Sequence, residues 1–439
     1  MPDKAAILEK KYTLAFILVA SLFFSWAMAA QLNDILIRQF QKALELNRGQ
    51  AGFIQTAFYF GYFFGAIPAG LLMRRLGYKN GILIGLGLYC AGALLFYPAA
   101  DLRVFSLFLV ALYIIAFGLS FLETAANPYI AVMGHPSTGP ARLNIAQSFY
   151  GIGAFVGPFL GSVFIFSGVE YSSAELAQLS PEQLEQWRTS EAKAVQMPYL
   201  ALAGFIAFLA VLIGFSKLPK LNEETEQNPD SGKTGIKAGL AGLFQYRHFR
   251  LAVVSQFFYV GAQVCIWSYF IDFAIELDPD MSEKGAGKLL SFGFLTLMLG
   301  RFSGGLLMQK FPAHKLLACY CVMTILMMLA AILTTGTMAI TALWLTTLFM
   351  SIMWPTVFAL GLRDLGEQTK MASSFMIMAI AGGAIFPPLM GYIADLNDNM
   401  QLALILPTAC FFVVLHYSLS GWKPRLDKQQ AEPQTLPSS

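Results

Sequence analysis

The sequence predicts an all-α membrane protein: twelve transmembrane helices arranged as two pseudo-symmetric six-helix halves. Three observations predict it. Of the 439 residues, 56% are hydrophobic and only 13% charged, where a soluble domain carries about 25% charged residues. The apolar residues come in runs of about 20, the length of a bilayer-crossing helix, and not as the ~10-residue alternating segments of a barrel. The second half of the chain also repeats the first.

The runs fall near 12–38, 49–73, 80–99, 104–133, 143–167 and 197–216, then near 250–276, 286–309, 315–335, 339–361, 371–394 and 401–421. Residues 217–247 are polar, with scattered Glu, Lys, Asn and Gly. A stretch of that composition cannot bury enough apolar surface to order itself and reads as a cytoplasmic linker. The chain therefore divides into a half at 1–216, the linker at 217–247, a half at 248–421 and a tail at 422–439.

The repeat is visible at two places. Gly70-Leu-Leu-Met-Arg-Arg75 recurs as Gly305-Leu-Leu-Met-Gln-Lys310, and Gly153-AFVGPFL-Gly161 recurs as Gly383-AIFPPLM-Gly391. The copies sit in the second and eighth spans and in the fifth and eleventh. An even number of helices separates them, so the halves run parallel about an axis along the membrane normal. The small residues of the fifth and eleventh spans suit close helix approach.

Charge sets the orientation. With both termini inside, twenty of the 29 Lys and Arg residues lie on inner segments, eight on outer loops and one, Arg301, within a span. That excess places both termini in the cytoplasm. Lys10-Lys11, an apolar run and Ala27-Met28-Ala29 have the form of a signal peptide with its cleavage site. Removing it would take away most of the first span, which the repeat requires.

Several function classes are disfavoured. No basic arm or stripe points to nucleic acid. No G-x-x-x-x-G-K-[ST] stretch points to ATP, and no nucleophile–base constellation points to an enzyme. Cys90, Cys265, Cys319, Cys321 and Cys410 fall within spans without C-x-x-C spacing, so they read as core residues and no metal is expected. No cofactor is expected beyond a proton gradient.

Polar groups inside spans carry the chemistry. The first span bears Gln31, Asn33 and Asp34. An intramembrane carboxylate costs about 2.5–3.5 kcal/mol on insertion scales, which points to a cavity or partner. Solvation at the outer interface is the other reading of Asp34. The fourth span carries Glu123 and Asn127 one turn apart, with Pro128 expected to bend the helix. Glu123 reads either as a cavity group or as the structural partner of Arg301. The fifth span adds Asn144, Gln147 and Tyr150. The seventh carries Gln256, Tyr259, Gln263 and Trp267 as one polar and aromatic stripe, with hydrogen bonds between core helices as the alternative reading. Amides donate and accept together, as sugar hydroxyls require, and Trp26, Trp267 and Trp354 offer faces for stacking. A desolvated carboxylate has a raised pKa and can load and release a proton.

Motifs then connect the chain to a family. Gly70-x-x-x-Arg74-Arg75-x-Gly77-x-Lys79 resembles the loop after the second helix in the major facilitator superfamily, with Arg74 where an acidic residue is usual. The resemblance implies that Gly70, Arg75 and Gly77 serve gating. LNDIL (32–36), QTAFYFGYF (55–63), LETAANP (122–128), RLNIAQ (142–147), SPEQL (180–184) and YVGAQVCIWSY (259–269) resemble the fucose–galactose–glucose:proton symporter family within that superfamily. The resemblance implies the major facilitator fold, alternating access, proton coupling at Asp34 and Glu123, and a monosaccharide substrate. Glu123 favours the fucose branch over the glucose/galactose branch. Ala30-Gln31 and Tyr150 depart from the family pattern at positions that could line the sugar site. The expected partners are a sugar, a proton and the bilayer of a bacterial inner membrane, with a monomeric chain. A drug antiporter on the same fold and a non-transporting sugar sensor are the alternatives.

Overall fold

The computed structural model of the chain describes residues 6–44, 48–164, 178–219, 242–397 and 399–424. Ten stretches of described residues are long and apolar enough to cross a membrane. One of them holds two spans, and the fifth span, Gly139–Phe164, adds to the set, so the twelve expected spans are all present.

The doubled stretch is the helix Arg48–Leu102, broken at Gly77 with φ 79° and ψ 172°. Only glycine adopts that backbone without strain, so a single residue folds the second span back into the third. Of the linker, residues 242–247 belong to the second half: Leu243 is fully buried and Phe244 packs on Phe375, ring centroids 5.0 Å apart. Residues 220–241 lie outside the described ones.

Three later spans are segmented. The tenth runs Gly336–Met350 and then Met353–Gly361. Its Pro355 has no N–H to offer the Ser351 carbonyl one turn back, and Arg301 Nε donates to that carbonyl instead, at 3.0 Å. Pro128 does the same in the fourth span, Phe105–Val132. It frees the Thr124 carbonyl, which accepts from Ser373 Oγ of the eleventh span at 2.8 Å. Each proline thus converts a lost ladder bond into a tertiary one.

The repeat has a direct structural meaning. Gly70 of the second span packs against Lys370 and Ser374 at the start of the eleventh, and Gly305 of the eighth packs against Ala141 and Ile145 at the start of the fifth. These two crossings join the halves on the side of the bundle where both termini lie. A Cβ on Gly70 would overlap Ser374 Oγ and sit 3.1 Å from the Lys370 carbonyl. Gly70→Val is therefore expected to weaken this packing by about 1–3 kcal/mol and to favour the state open on the terminal side. Faster labelling of a cysteine at Ser374 by an impermeant thiol reagent applied from that side checks it, and Gly305→Val should act alike.

Arg75, given a gating role by the resemblance, makes no bond between the halves among the described residues. Its side chain is exposed, with no hydrogen bond or ion pair among the described residues. Glycine at position 70 permits the approach instead. Lys79 Nζ reaches the Gly214 and Ser216 carbonyls, both at 2.8 Å, within its own half. Arg142 is fully buried and binds the carbonyls of Ile130, Ala131 and Ile7 at 2.7, 2.6 and 3.0 Å. It thereby closes the end of the fourth span and ties down the N-terminal segment.

On the opposite side, the helix Pro181–Lys193 begins with a capping box, Ser180 and Gln183 bonding reciprocally at 3.2 and 3.0 Å. Arg103, at the turn after the third span, holds it through Glu185 at 2.5 Å.

Candidate functional site

A cavity of about 140 Å³ lies between the two halves. That is below the roughly 300–1,000 Å³ of drug-sized sites, so it suits a small solute. The first half contributes Trp26, Phe58, Tyr59, Tyr62, Glu123, Gln147 and Tyr150. The second contributes Val260, Gln263, Trp267, Arg301, Trp354 and Ile380.

A chain of hydrogen bonds runs along its wall and crosses between the halves. Tyr62 Oη donates to Glu123 Oε1 at 2.8 Å. Asn127 Nδ2 donates to the Glu123 carbonyl at 2.9 Å, and Asn127 Oδ1 accepts from Gln147 Nε2 at 2.7 Å. Arg301 Nη1 then donates to Gln147 Oε1 and to the Gln147 carbonyl, both at 3.1 Å. Its guanidinium carbon lies 5.2 Å from the Tyr150 ring centroid, within cation–π range. Glu123 and Arg301 line the same cavity, yet no ion pair joins them among the described residues. The pairing considered from sequence is thus replaced by two separate attachments, Glu123 to a neutral phenol and Arg301 to an amide and a freed carbonyl. The Trp267 indole N–H has no hydrogen-bond partner among the described residues and is available to a solute, and Gln263 lines the cavity as well.

Of the residues singled out from sequence, Glu123, Gln147, Tyr150, Gln263, Trp267 and Arg301 line the cavity. Asn127 lies behind it, bridging Glu123 and Gln147. Asn144 lies one turn from Gln147 toward the terminal side, fully buried, its Nδ2 donating to Thr356 Oγ1 at 3.0 Å. Gln31 is half-buried beside Gly157 and does not line the cavity. Asn33 and Asp34 belong to the helix of the first span, Thr13–Leu44, but their side chains lie outside the described ones.

The seventh span, Arg247–Leu277, is rotated from expectation. Tyr259 is fully buried and donates to the Met350 carbonyl at 2.9 Å. Gln256 is fully buried, both its amide atoms without partners. Val260 lines the cavity in their place. At 3.6 residues per turn, Val260 projects within about 20° of Trp267, whereas Tyr259 projects about 80° from it. The cavity face centres on Trp267 and not on the middle of the stripe. Cysteine at Val260 is expected to react with a small polar thiol reagent several-fold faster than cysteine at Tyr259, with excess sugar slowing the reaction. Labelling rates measure this.

Sequence reasoning missed Phe58, Tyr59 and Tyr62. Their signal was present in QTAFYFGYF, where Tyr59 and Tyr62 are three apart and share a face with Phe58 nearby.

A larger cavity, about 470 Å³, opens on the terminal side among the loops after the fourth, eighth and tenth spans. His314 stacks on Trp422 at its edge, ring centroids 3.9 Å apart. It holds no share of the polar chain and no residue that lines the central cavity.

The comparisons with known proteins agree with this geometry. The chain is 43% identical over 417 residues to the L-fucose-proton symporter of Escherichia coli (strain K12), covering 95% of each. It is 36% identical over 418 residues to the glucose/galactose transporter of Brucella abortus biovar 1 (strain 9-941), covering 94% of this chain and 96% of that one. A crystal structure of a major facilitator transporter, FucP, in the outward conformation superposes with a TM-score of 0.86 at 43% identity, covering 93% of this chain and 99% of that one. Residues 14–388 match the Major Facilitator Superfamily. Twelve spans in two halves joined by paired crossings, a polar cavity between them and these relatives agree, and the chain belongs to the Major Facilitator Superfamily of membrane transporters.

Proposed function

We propose that the chain is a proton-coupled symporter that takes up a monosaccharide, L-fucose, by alternating access. The observation that carries this is the central cavity itself. It combines a carboxylic acid bonded to a phenol, two amides, an arginine and several aromatic rings at the boundary between the halves. The amides and the free indole N–H match sugar hydroxyls, and the rings cover the apolar face of a pyranose. Glu123, bonded to the Tyr62 hydroxyl and in no direct ion pair among the described residues, is a group that can be carried neutral. Asp34 is assigned the role of loading the proton from the side opposite the termini. The relative at 43% identity, an L-fucose-proton symporter, supports this substrate.

The packing of the second span on the eleventh and of the fifth on the eighth at the terminal side closes that side. With the termini in the cytoplasm of a bacterial inner membrane, as the charge bias indicates, the structure corresponds to the state that receives sugar from outside. The chain works as a monomer in this reading, because the cavity is built from one chain.

A glucose or galactose substrate is the second reading, favoured by the relatives of that name at 36% identity. Uptake of a panel of labelled monosaccharides into proteoliposomes, with and without an imposed pH gradient, decides between them. L-Fucose accumulation driven by the gradient and not competed by glucose is the expected result. Uptake insensitive to the gradient would remove the coupling.

A further inference from the structure

Three spans run from the central cavity into the terminal-side cavity, and each measures the wall between them. On the fourth span Glu123 lines the first and Ala131 the second, about 12 Å apart at 1.5 Å per residue. On the fifth, Gln147 and Pro140 are about 10 Å apart. On the tenth, Trp354 and Ala359 are about 7 Å apart. The wall is about one and a half to just over two turns of helix thick, and the space beyond it is already formed.

This wall is polar. Asn144 spans it from the first half to the second, donating from Nδ2 to Thr356 Oγ1 at 3.0 Å and to the Pro140 carbonyl of its own helix at 2.9 Å, while its Oδ1 has no hydrogen-bond partner among the described residues. Thr124 Oγ1, one residue past Glu123, is also unpartnered, although Ser373 binds the Thr124 carbonyl. An unpartnered buried polar atom costs about 1–3 kcal/mol. A wall built only to seal would hold apolar groups there. Groups that carry that cost in the closed state find partners when the wall opens and a hydroxylated solute passes.

We propose that the Asn144–Thr356 bond is the clasp that closes the exit from the central cavity, and that the Asn144 carboxamide is a transit subsite for the hydroxyls of the departing monosaccharide. The proposal rests on the reading of the chain as a monosaccharide transporter. It gives Asn144 a contact with sugar only after the clasp parts, so affinity in the state closed on the terminal side does not depend on it. Thr356 carries the clasp alone.

The test uses the full chain in proteoliposomes with L-fucose, comparing Asn144→Ala, Asn144→Ser and Thr356→Val. Both the alanine and the valine variants are expected to speed labelling of a cysteine at Thr124 by an impermeant maleimide applied from the terminal side. Asn144→Ala should lower the maximal exchange rate about tenfold, leaving the L-fucose Kd and KM within about twofold of the parent. Asn144→Ser, which keeps a hydroxyl, should recover part of that rate, and Thr356→Val should keep it within about twofold. An equal fall in rate for Asn144→Ala and Thr356→Val would overturn the transit role, since the clasp alone would explain both. A Kd raised tenfold by Asn144→Ala would place Asn144 in the central site and overturn it as well. Unchanged labelling in both would overturn the clasp. If the parent chain neither binds nor exchanges L-fucose, the transport reading fails first and the transit role fails with it, while the labelling still decides the clasp.

Discussion

Glu123→Gln is expected to bind L-fucose and exchange it between loaded vesicles while losing pH-driven accumulation, and Glu123→Ala is expected to lose exchange as well. Glutamine reproduces the neutral acid: it still accepts from Tyr62, whose Oη lies 2.8 Å from Glu123 Oε1, but it cannot titrate. Alanine leaves the Tyr62 hydroxyl without its acceptor and opens a gap beside Gln147. The argument turns on charge. Closing the cavity over an ionised carboxylate that forms no direct ion pair would cost several kcal/mol, and among the described residues Glu123 forms none, its side chain being held by the Tyr62 hydroxyl. The carrier therefore closes when Glu123 is protonated. Accumulation of labelled L-fucose under an imposed gradient, set beside counterflow without one, separates the two variants. If Glu123→Gln loses sugar binding as completely as Glu123→Ala, the charge itself holds the sugar or Arg301, and coupling must reside elsewhere.

The second large effect is at Asp34. Asp34→Asn should abolish uphill accumulation, at least a hundredfold below the parent, while counterflow of L-fucose persists. The first span is apolar from Thr13 onward, and a carboxylate there is retained against about 2.5–3.5 kcal/mol of insertion cost. Asparagine removes the charge and the proton together. Undiminished gradient-driven uptake by this variant would remove Asp34 from the coupling mechanism. The double variant with Glu123→Gln should resemble Asp34→Asn alone, since one missing proton step already breaks the cycle.

The parts of this structure legible in the sequence were those that depend on local rules or repetition. Run length marked the spans. Gly77 and its neighbours marked the fold-back, because φ of 79° excludes other residues. Matching Gly70 and Gly305 predicted equivalent places in the two halves, and both turned out to be crossings between the halves. Polar residues within spans pointed to Glu123, Gln147, Gln263 and Arg301, since amides and charges stay in a membrane only for a partner or a cavity. Rotation about a helix axis was not legible. The stripe from Gln256 to Trp267 drifts slowly round the seventh helix, and only packing decided that Val260 and not Tyr259 faces inward. Aromatic lining was legible in part: Trp26, Trp267 and Trp354 stood out in the sequence and line the cavity, while Tyr59 and Tyr62 sit in a run whose neighbours Phe60 and Phe64 are exposed on the outside of the bundle. The role of Pro128 was half legible: a lost ladder bond followed from the missing N–H, but the acceptance of a bond from Ser373 by the freed carbonyl required the eleventh span to be in place.

The buried guanidinium of Arg142 has a consequence for biogenesis. It holds the Ile7 carbonyl across 135 residues of chain, and chains emerge from the ribosome N-terminus first. The N-terminal segment therefore lacks this anchor until the fifth helix begins to leave the exit tunnel, by which time four helices are already being handed to the bilayer. The end of the fourth helix waits for the same side chain, at Ile130 and Ala131. One late arginine thus delays consolidation: the end of the fourth helix and the amino-terminal segment are tied together only when the ribosome has passed it, and a chain stalled before that point would present a looser amino terminus to proteases.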